Sequence, residues 1–225
     1  MVIELSAEDH AKVSAAIADA EARSDGEILA VVTGRSDSYH DVALHWAIAV
    51  LVAVLAWFAA FPSCLEGIYK TLLGGWSPDP TLGQLLSLLL VIAVVKFLIA
   101  NLLLRWWPVR MFLTPPSTKD RRVRRRAIEF FKAAAEARTA GRTGVLIYVS
   151  VAEHRAEIVA DEAIHKLTDE KVWGDAMVDL LTLLKQRQPA DGMVAAIRDV
   201  GEVLAQHFPK SSTDTNEIPD KLIEL

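Results

Sequence analysis

Apolar residues along this chain form short helical stripes, short strand-like runs and two long unbroken runs. Val13 and Ile17 recur at helical spacing after Ser6, a residue type that caps helix N-termini. Residues 27–33, EILAVVT, form a short apolar run rich in β-branched residues and predict a buried strand. One helix and one strand cannot form a core alone, so residues 1–41 must pack against another part of the chain.

The second half of the chain contains the helices and strands against which residues 1–41 can pack. Residues 119–138 predict a helix with Val123, Ala127 and Phe131 on one face. Further along, the patterns predict strands over 145–151 and 155–160 and helices from Asp161, over 173–184 and from Asp191. Apolar strands without alternation need cover on both faces. We therefore predict one α/β domain, an α/β/α sandwich around a small central sheet, built from both ends of the chain.

Two long apolar runs separate these halves, over residues 42–61 and 84–104. A helix of about 20 residues spans the ~30 Å hydrocarbon core of a bilayer. The connector, residues 62–83, contains prolines and a Gly-Gly pair and is typical of a turn region. The runs predict a transmembrane helical hairpin inserted in the domain.

This organisation divides the chain into four segments. Residues 1–41 form the first part of the domain, and residues 42–107 form the hairpin. Residues 108–210 form the second part of the domain, and residues 211–225 form a polar tail.

Charge predicts the orientation of the hairpin. The connector carries only Lys70 as a basic residue, whereas eight basic residues follow the second run: Arg105, Arg110, Lys119, Arg121, Arg122, Arg124, Arg125 and Arg126. The positive-inside rule places such a cluster in the cytoplasm. We therefore predict a two-pass protein of the bacterial inner membrane with both termini cytoplasmic. These arginines, with Trp106 and Trp107, are predicted to lie at the membrane interface.

Three polar residues, His45, Lys96 and Asn101, lie within the predicted spans. His45 and Asn101 are near the cytoplasmic ends, at a depth that allows a mutual hydrogen bond. An intramembrane lysine has two explanations: snorkelling toward the interface, or a role in an oligomeric pore. Two spans are too few to build a transport path alone, so the second explanation requires a homo-oligomer.

The amino-acid composition limits both the class of protein and the kinds of partner that it can bind. Hydrophobic residues make up 52% and charged residues 24% of the chain, which excludes a fully disordered protein. The net charge of −5 argues against nucleic acid as a partner. The arginine run is then a solvated helix face or a contact with anionic lipids. The single cysteine, Cys64, excludes an intramolecular disulfide and a multi-cysteine zinc site.

The sequence contains no GxSxG, HExxH, Walker or glycine-rich dinucleotide motif. The remaining candidate site residues are acidic and lie at the ends of predicted strands. Asp25 precedes the first strand and Glu27 begins it, Asp37 follows it, and Asp161 follows the return strand. Carboxylates at strand ends are the ligand type that Ca²⁺ or Mg²⁺ requires. The alternative is that Asp25 lies in a turn and Asp161 caps a helix.

Several segments resemble the TPM-domain family: residues 27–32 (EILAVV), 142–150 (RTGVLIYVS) and 155–161 (RAEIVAD). The helix over 192–209 and the NEIPD segment at 216–220 add to the resemblance. It is strongest with bacterial members that carry a membrane hairpin inserted in the domain.

The resemblance implies an α/β/α sandwich. Plant relatives in the thylakoid lumen are linked to photosystem repair and acid phosphatase activity, animal relatives are auxiliary subunits of a membrane receptor, and some bacterial domains bind calcium. Our leading hypothesis is a non-enzymatic module that binds a protein or an ion beside the membrane, with a membrane or cytoplasmic protein as partner. The alternatives are a metal-dependent phosphatase and a component of an oligomeric membrane channel.

Overall fold

The computed structural model describes residues 5–72, 79–134, 143–168, 172–211 and 220–225. The chain divides into two compact units, one made of residues 1–37 and 116–225 and the other of residues 38–115. We call them the α/β unit and the inserted unit and describe each by itself.

The described residues of the α/β unit form a four-stranded sheet in the order β3-β2-β1-β4. Strand β1, Glu27–Thr33, pairs in parallel with β2, Gly144–Ser150, along the full length of both. Strand β3, Arg155–Ala160, returns antiparallel to β2. Strand β4, Ile223–Glu224, is parallel to β1 at the other side. The two central strands therefore come from opposite sides of the inserted unit.

Helices cover both faces of this sheet. On one face lie α1 (Ala7–Glu21), α8 (Val172–Lys185) and α9 (Pro189–His207), and on the other lies α6 (Pro116–Ala134). A short helix, α7 (Glu162–His165), follows β3.

Alternation along the strands divides the core between these layers. Ile28, Ala30 and Val32 pack in the cluster with α1 and α9, while Leu29 and Val31 pack in the cluster with α6. Every residue of β1 is buried, because both faces of the strand are covered. The predicted α/β/α sandwich is confirmed.

The inserted unit contains α2 (His40–Ala60), α3 (Pro62–Leu72), α4 (Leu82–Leu103) and α5 (Trp107–Leu113). Among the described residues, α2 and α4 are the two helices long and apolar enough to cross a membrane. Only 17% and 6% of their most apolar stretches is buried in the structure. Their bounds lie within two residues of the predicted spans.

Arg110 joins the two ends of this unit. Its guanidinium donates to the Leu104 carbonyl from Nε at 2.9 Å, to the Ser38 carbonyl from Nη1 at 2.7 Å and to the Arg105 carbonyl from Nη2 at 3.3 Å. The start of α2 and the end of α4 are therefore adjacent, so the two helices run antiparallel. The cation also lies at the C-terminus of α4, where the helix dipole favours positive charge.

Three sequence-based predictions need correction. The connector is not only a turn, because Pro62 begins α3, a position that suits proline. Helix α6 begins at Pro116 rather than residue 119, and α9 begins at Pro189 rather than Asp191, for the same reason. The segment predicted as a polar tail, residues 211–225, also contributes a strand, β4. The predicted helix end at 135–138, the turn residues 73–78 and residues 216–219 of NEIPD lie outside the described residues.

Gly201 sets how closely α1 and α9 approach each other. A Cβ on residue 201 would lie 2.7 Å from Ala20 Cβ, which is fixed to the backbone of α1 and cannot rotate away. The α1–α9 layer therefore requires glycine here.

We predict that Gly201→Ala lowers the free energy of unfolding by about 1–3 kcal/mol, because the added methyl forces the helices apart. Gly174→Ala is the matched control. Gly174 lies in α8 with no described atom within 4 Å of an added Cβ, so this change should stabilise by about 0.5–1 kcal/mol. Urea unfolding of the detergent-solubilised chain measures both, and equal effects would contradict the assignment.

Candidate functional site

The structure places the four predicted metal ligands at opposite edges of the sheet. Glu27 begins β1, and Asp161 follows Ala160, which pairs with Val145 near the start of β2. Asp37 follows the other end of β1. The seven residues of β1 separate these edges by roughly 20 Å at ~3.3 Å per residue. Asp37 therefore cannot share an ion with the other three.

Asp161 joins the end of β3 to the start of β2. Its Oδ2 accepts a hydrogen bond from the Gly144 amide at 3.0 Å, and its own amide donates to the Gly144 carbonyl at 2.9 Å. Asp161 occupies the N-cap position of α7 but makes no side-chain capping bond there. The buried carboxylate thus serves the sheet rather than the helix.

Asp25 holds the segment after α9 against the turn before β1. Its Oδ1 accepts a hydrogen bond from the Ser211 amide at 2.7 Å, and this bond holds the pKa of Asp25 below its ordinary value. The Asp25 amide in turn donates to the Phe208 carbonyl at 2.9 Å. Asp25 therefore lies in a turn that its two hydrogen bonds hold in place.

Asp37 forms an ion pair with α6. Its Oδ2 lies 2.7 Å from Arg122 Nη1 and 3.9 Å from Arg125 Nη2. The side chains of Asp37 and Arg122 are only 20% and 17% exposed, so solvent weakens this pair less than an ordinary surface pair. The pair ties α6 to the loop from which the inserted unit begins.

A buried carboxylate that the sequence analysis missed strengthens the same loop. Glu153 is 3% exposed, and its Oε1 accepts from the Ser36 amide at 3.0 Å. Its Oε2 accepts from the Ser150 hydroxyl, and the Ser36 hydroxyl lies 3.1 Å from the Tyr148 hydroxyl. This network fixes the backbone immediately before Asp37. Nothing in the sequence marked Glu153, because its burial depends on the loop after β1, which is distant along the chain.

A second missed carboxylate lies at the opposite edge. Glu21 is 6% exposed, and its Oε1 accepts from the Ile28 amide at 2.8 Å. Its Oε2 is buried without a hydrogen-bond partner among the described residues. Burial, reinforced by the carboxylates of Glu27 and Asp220, raises the pKa of Glu21 to about 8. A sequence signal existed, since Glu21 continues the buried helical stripe of Val13 and Ile17.

This end of the sheet has oxygen ligands of the type that a divalent cation binds, but too few of them are close together. Glu21 has oxygen atoms of the kind that Ca²⁺ and Mg²⁺ bind, but it becomes a carboxylate ligand only when it loses its proton. Within the described ranges, however, no three His, Cys, Asp or Glu side chains are grouped so that they could hold a metal.

The structure separates the predicted interface residues into different environments. Arg110 is buried, and Trp107 is half-buried with its ring 6.2 Å from Tyr39. Arg105 and Trp106 are exposed. Arg121, Arg124, Arg125 and Arg126 are exposed on α6, whereas Arg122 is held by Asp37.

The polar residues of the long helices are all exposed in the structure: His45 on α2, and Lys96 and Asn101 on α4. His45 Nδ1 is hydrogen-bonded to the Asp41 carbonyl of its own helix. The imidazole therefore has a partner in α2 itself.

Residues 110–203 match the TPM domain family. The match confirms the resemblance over β2, β3, α6 to α8 and most of α9, and it does not include β1. No curated protein sequence matched the chain.

One solved structure supports the same fold for the chain. The NMR structure of BA42 protein from the psychrophilic bacterium Bizionia argentinensis superposes with a TM-score of 0.56. It is 18% identical, and the comparison covers 99% of this chain and 97% of that one. At this identity the likeness concerns the fold alone.

Glu21 should make the stability of the α/β unit depend on pH. Its pKa is about 8 in the folded chain against 4.5 ordinarily, so between these values the unfolded chain loses a proton that the folded chain keeps. The free energy of unfolding should therefore fall as pH rises through this window, by about 2–4 kcal/mol, and then level off.

Glu21→Gln should remove this decline, because the amide stays neutral and can still accept from the Ile28 amide. Urea unfolding midpoints from pH 4 to pH 9 measure it. Glu202→Gln, exposed on α9, is the control and should leave the pH dependence of the wild-type chain unchanged. A wild-type stability that is flat across the window would disprove the role of Glu21.

Proposed function

We propose that this protein is a two-pass membrane protein that holds a TPM-like domain at the inner face of the bacterial membrane. There the domain acts as a binding module for a protein or an ion. The α/β unit is the binding part, and α2 with α4 form the anchor.

The exposed apolar surface of α2 and α4 carries this proposal. Large side chains along both helices face outward: Leu44, Ile48, Val52, Leu55, Leu86, Leu90, Val94 and Leu98 are among them. Soluble proteins rarely expose contiguous apolar patches larger than a few hundred Å², whereas two such helices lined side by side exceed that area. A bilayer removes this surface from water and matches the length of both helices.

Small residues support the pairing of these helices within a bilayer. Ala47 of α2 and Ala93 of α4 are both buried, at 0% and 2% exposure. Lipid tails offer no hydrophobic driving force between helices, so close backbone approach through small residues is how such helices associate.

Charge supports the orientation. Basic residues are concentrated in α5 and α6, after the second span, while the connector carries Lys70, which pairs with Asp79 at 2.9 Å. The positive-inside rule then directs the α/β unit to the cytoplasm.

Glu21 supports the ion-binding part of the proposal. Glu21 interacts electrostatically with Glu27 and Asp220, and a bound cation would offset the repulsion among these three carboxyl groups once Glu21 loses its proton. Among the described residues no three His, Cys, Asp or Glu side chains are grouped to hold a metal, so neither the ion-binding nor the phosphatase hypothesis draws support from a formed metal site. No contact within the described residues favours the channel alternative.

Cys64 offers a direct test of the topology, because it is the single cysteine and lies exposed in α3 between the two spans. In intact cells with a permeable outer membrane, a membrane-impermeant maleimide should label Cys64. In a Cys64→Ser background, a thiol introduced by Gln186→Cys, exposed in the α/β unit, should react only after lysis.

Three results would distinguish the possibilities. Labelling of Cys64 alone, with protein retained in membranes after alkaline extraction, is the predicted outcome. Labelling of the Gln186→Cys variant alone would reverse the orientation and contradict the proposal. Release of the protein by alkaline extraction would contradict the anchor itself.

A further inference from the structure

Helix α6 presents a strongly cationic outer face. Val123, Ala127 and Phe131 point into the core, which directs the charged positions outward. Arg124, Arg125 and Arg126 have side chains that are 69%, 68% and 51% exposed, and Arg121 is exposed beside them. We call Arg121, Arg124, Arg125 and Arg126 the arginine face.

Nearby carboxylates offset only part of this charge. Arg125 and Arg126 share one carboxylate, Glu129, at 3.6 Å and 3.4 Å, and Arg125 also lies 3.9 Å from Asp37. Arg124 lies 3.8 Å from Glu157, a long separation for an ion pair. The side chains of Arg124, Arg125 and Arg126 are each more than half exposed, so solvent weakens these pairs and the guanidinium groups can exchange them for another anion.

The remaining charges of this region are engaged elsewhere. Arg122 is held by Asp37, and Asp120, the acid that interrupts the run, is paired with Arg155 of β3. Asp120 is therefore neutralised by a further cation rather than by the arginine face. The outer face of α6 keeps an excess of positive charge.

We propose that the arginine face binds the anionic headgroups of the bilayer that α2 and α4 span, an inference that rests on the proposed function. Only residues 104–115 separate α4 from α6 along the chain. A cationic helix tethered this closely to a span remains where the negative surface potential of the cytoplasmic leaflet acts. Guanidinium groups also match phosphate geometry with paired hydrogen bonds.

Not every basic residue near the second span belongs to the arginine face. Arg110 is buried against main-chain carbonyls, and Arg122 is committed to Asp37. Neither side chain is available to lipid. The four residues of the arginine face lie within two turns of a 19-residue helix, over the part of its surface that faces away from the core.

A fluorophore on α6 can report this contact in the full-length protein. Ser117 lies one turn before Arg121 on the same side of the helix and is exposed, so Ser117→Cys in the Cys64→Ser background accepts a thiol-reactive dye. The chain is reconstituted into vesicles of phosphatidylcholine, with or without phosphatidylglycerol, that contain a headgroup-spin-labelled lipid as quencher.

We expect phosphatidylglycerol to increase quenching about twofold, and high salt to reverse the increase. Arg121→Gln with Arg124→Gln should abolish the increase. Lys166→Gln with Lys185→Gln removes two exposed cations elsewhere on the α/β unit and should retain it.

Equal quenching in both lipid compositions would overturn the inference. So would an increase that persists in the double arginine variant, because the arginine face would then not be its cause. Flotation of the same vesicles after an alkaline wash measures membrane insertion, and so tests the anchor of the proposed function separately. Protein that does not float falsifies the anchor, whereas protein that floats without lipid-dependent quenching contradicts the arginine face alone.

Discussion

The parallel pairing of β1 with β2 is the constraint on which the rest of this molecule depends. Parallel strands cannot be joined by a tight turn and require a crossover connection. Here α6 is the helix of that crossover, covering one face of the sheet, and the inserted unit lies between β1 and α6. All seven residue pairs between the strands form despite this interruption.

Polar contacts fix the backbone where the insertion begins and ends, some within the α/β unit and others within the inserted unit. Within the α/β unit, Glu153 holds the backbone at Ser36 and Arg122 holds Asp37. Within the inserted unit, Arg110 bonds to the carbonyls of Ser38 and Leu104. An antiparallel helix pair returns the chain to the end where it started, so the insertion leaves the crossover intact. These polar contacts explain how one fold accommodates so long an interruption.

Elements governed by local pattern could be predicted from the sequence. Residues 27–33 and 155–160 form strands with the predicted bounds, and Ser6 caps α1 with a reciprocal bond to Asp9. The two apolar helices were equally predictable, because length and hydrophobicity alone define them. In each case the interactions that determine the element are between residues close together in the sequence.

Features that depend on distant contacts escaped prediction. Strand β4 has two residues and exists because β1 offers it an edge. The four predicted ligands shared a pattern, strand ends, but the pattern did not distinguish the two edges of the sheet. Glu153 and Glu21 are ordinary glutamates in the sequence, and their roles arise only from burial. The candidate site was thus less predictable than the fold, since electrostatics depends on which groups folding brings together.

Residues 1–37 and 116–225 form one compact unit, which the inserted unit interrupts along the chain. The most direct test deletes residues 38–115 and joins Asp37 to Pro116 through a Gly-Ser linker, which leaves the Asp37–Arg122 ion pair intact. We expect a soluble monomer with mixed α/β circular dichroism and a single cooperative unfolding transition. A product that aggregates, or that unfolds without cooperativity, would contradict it.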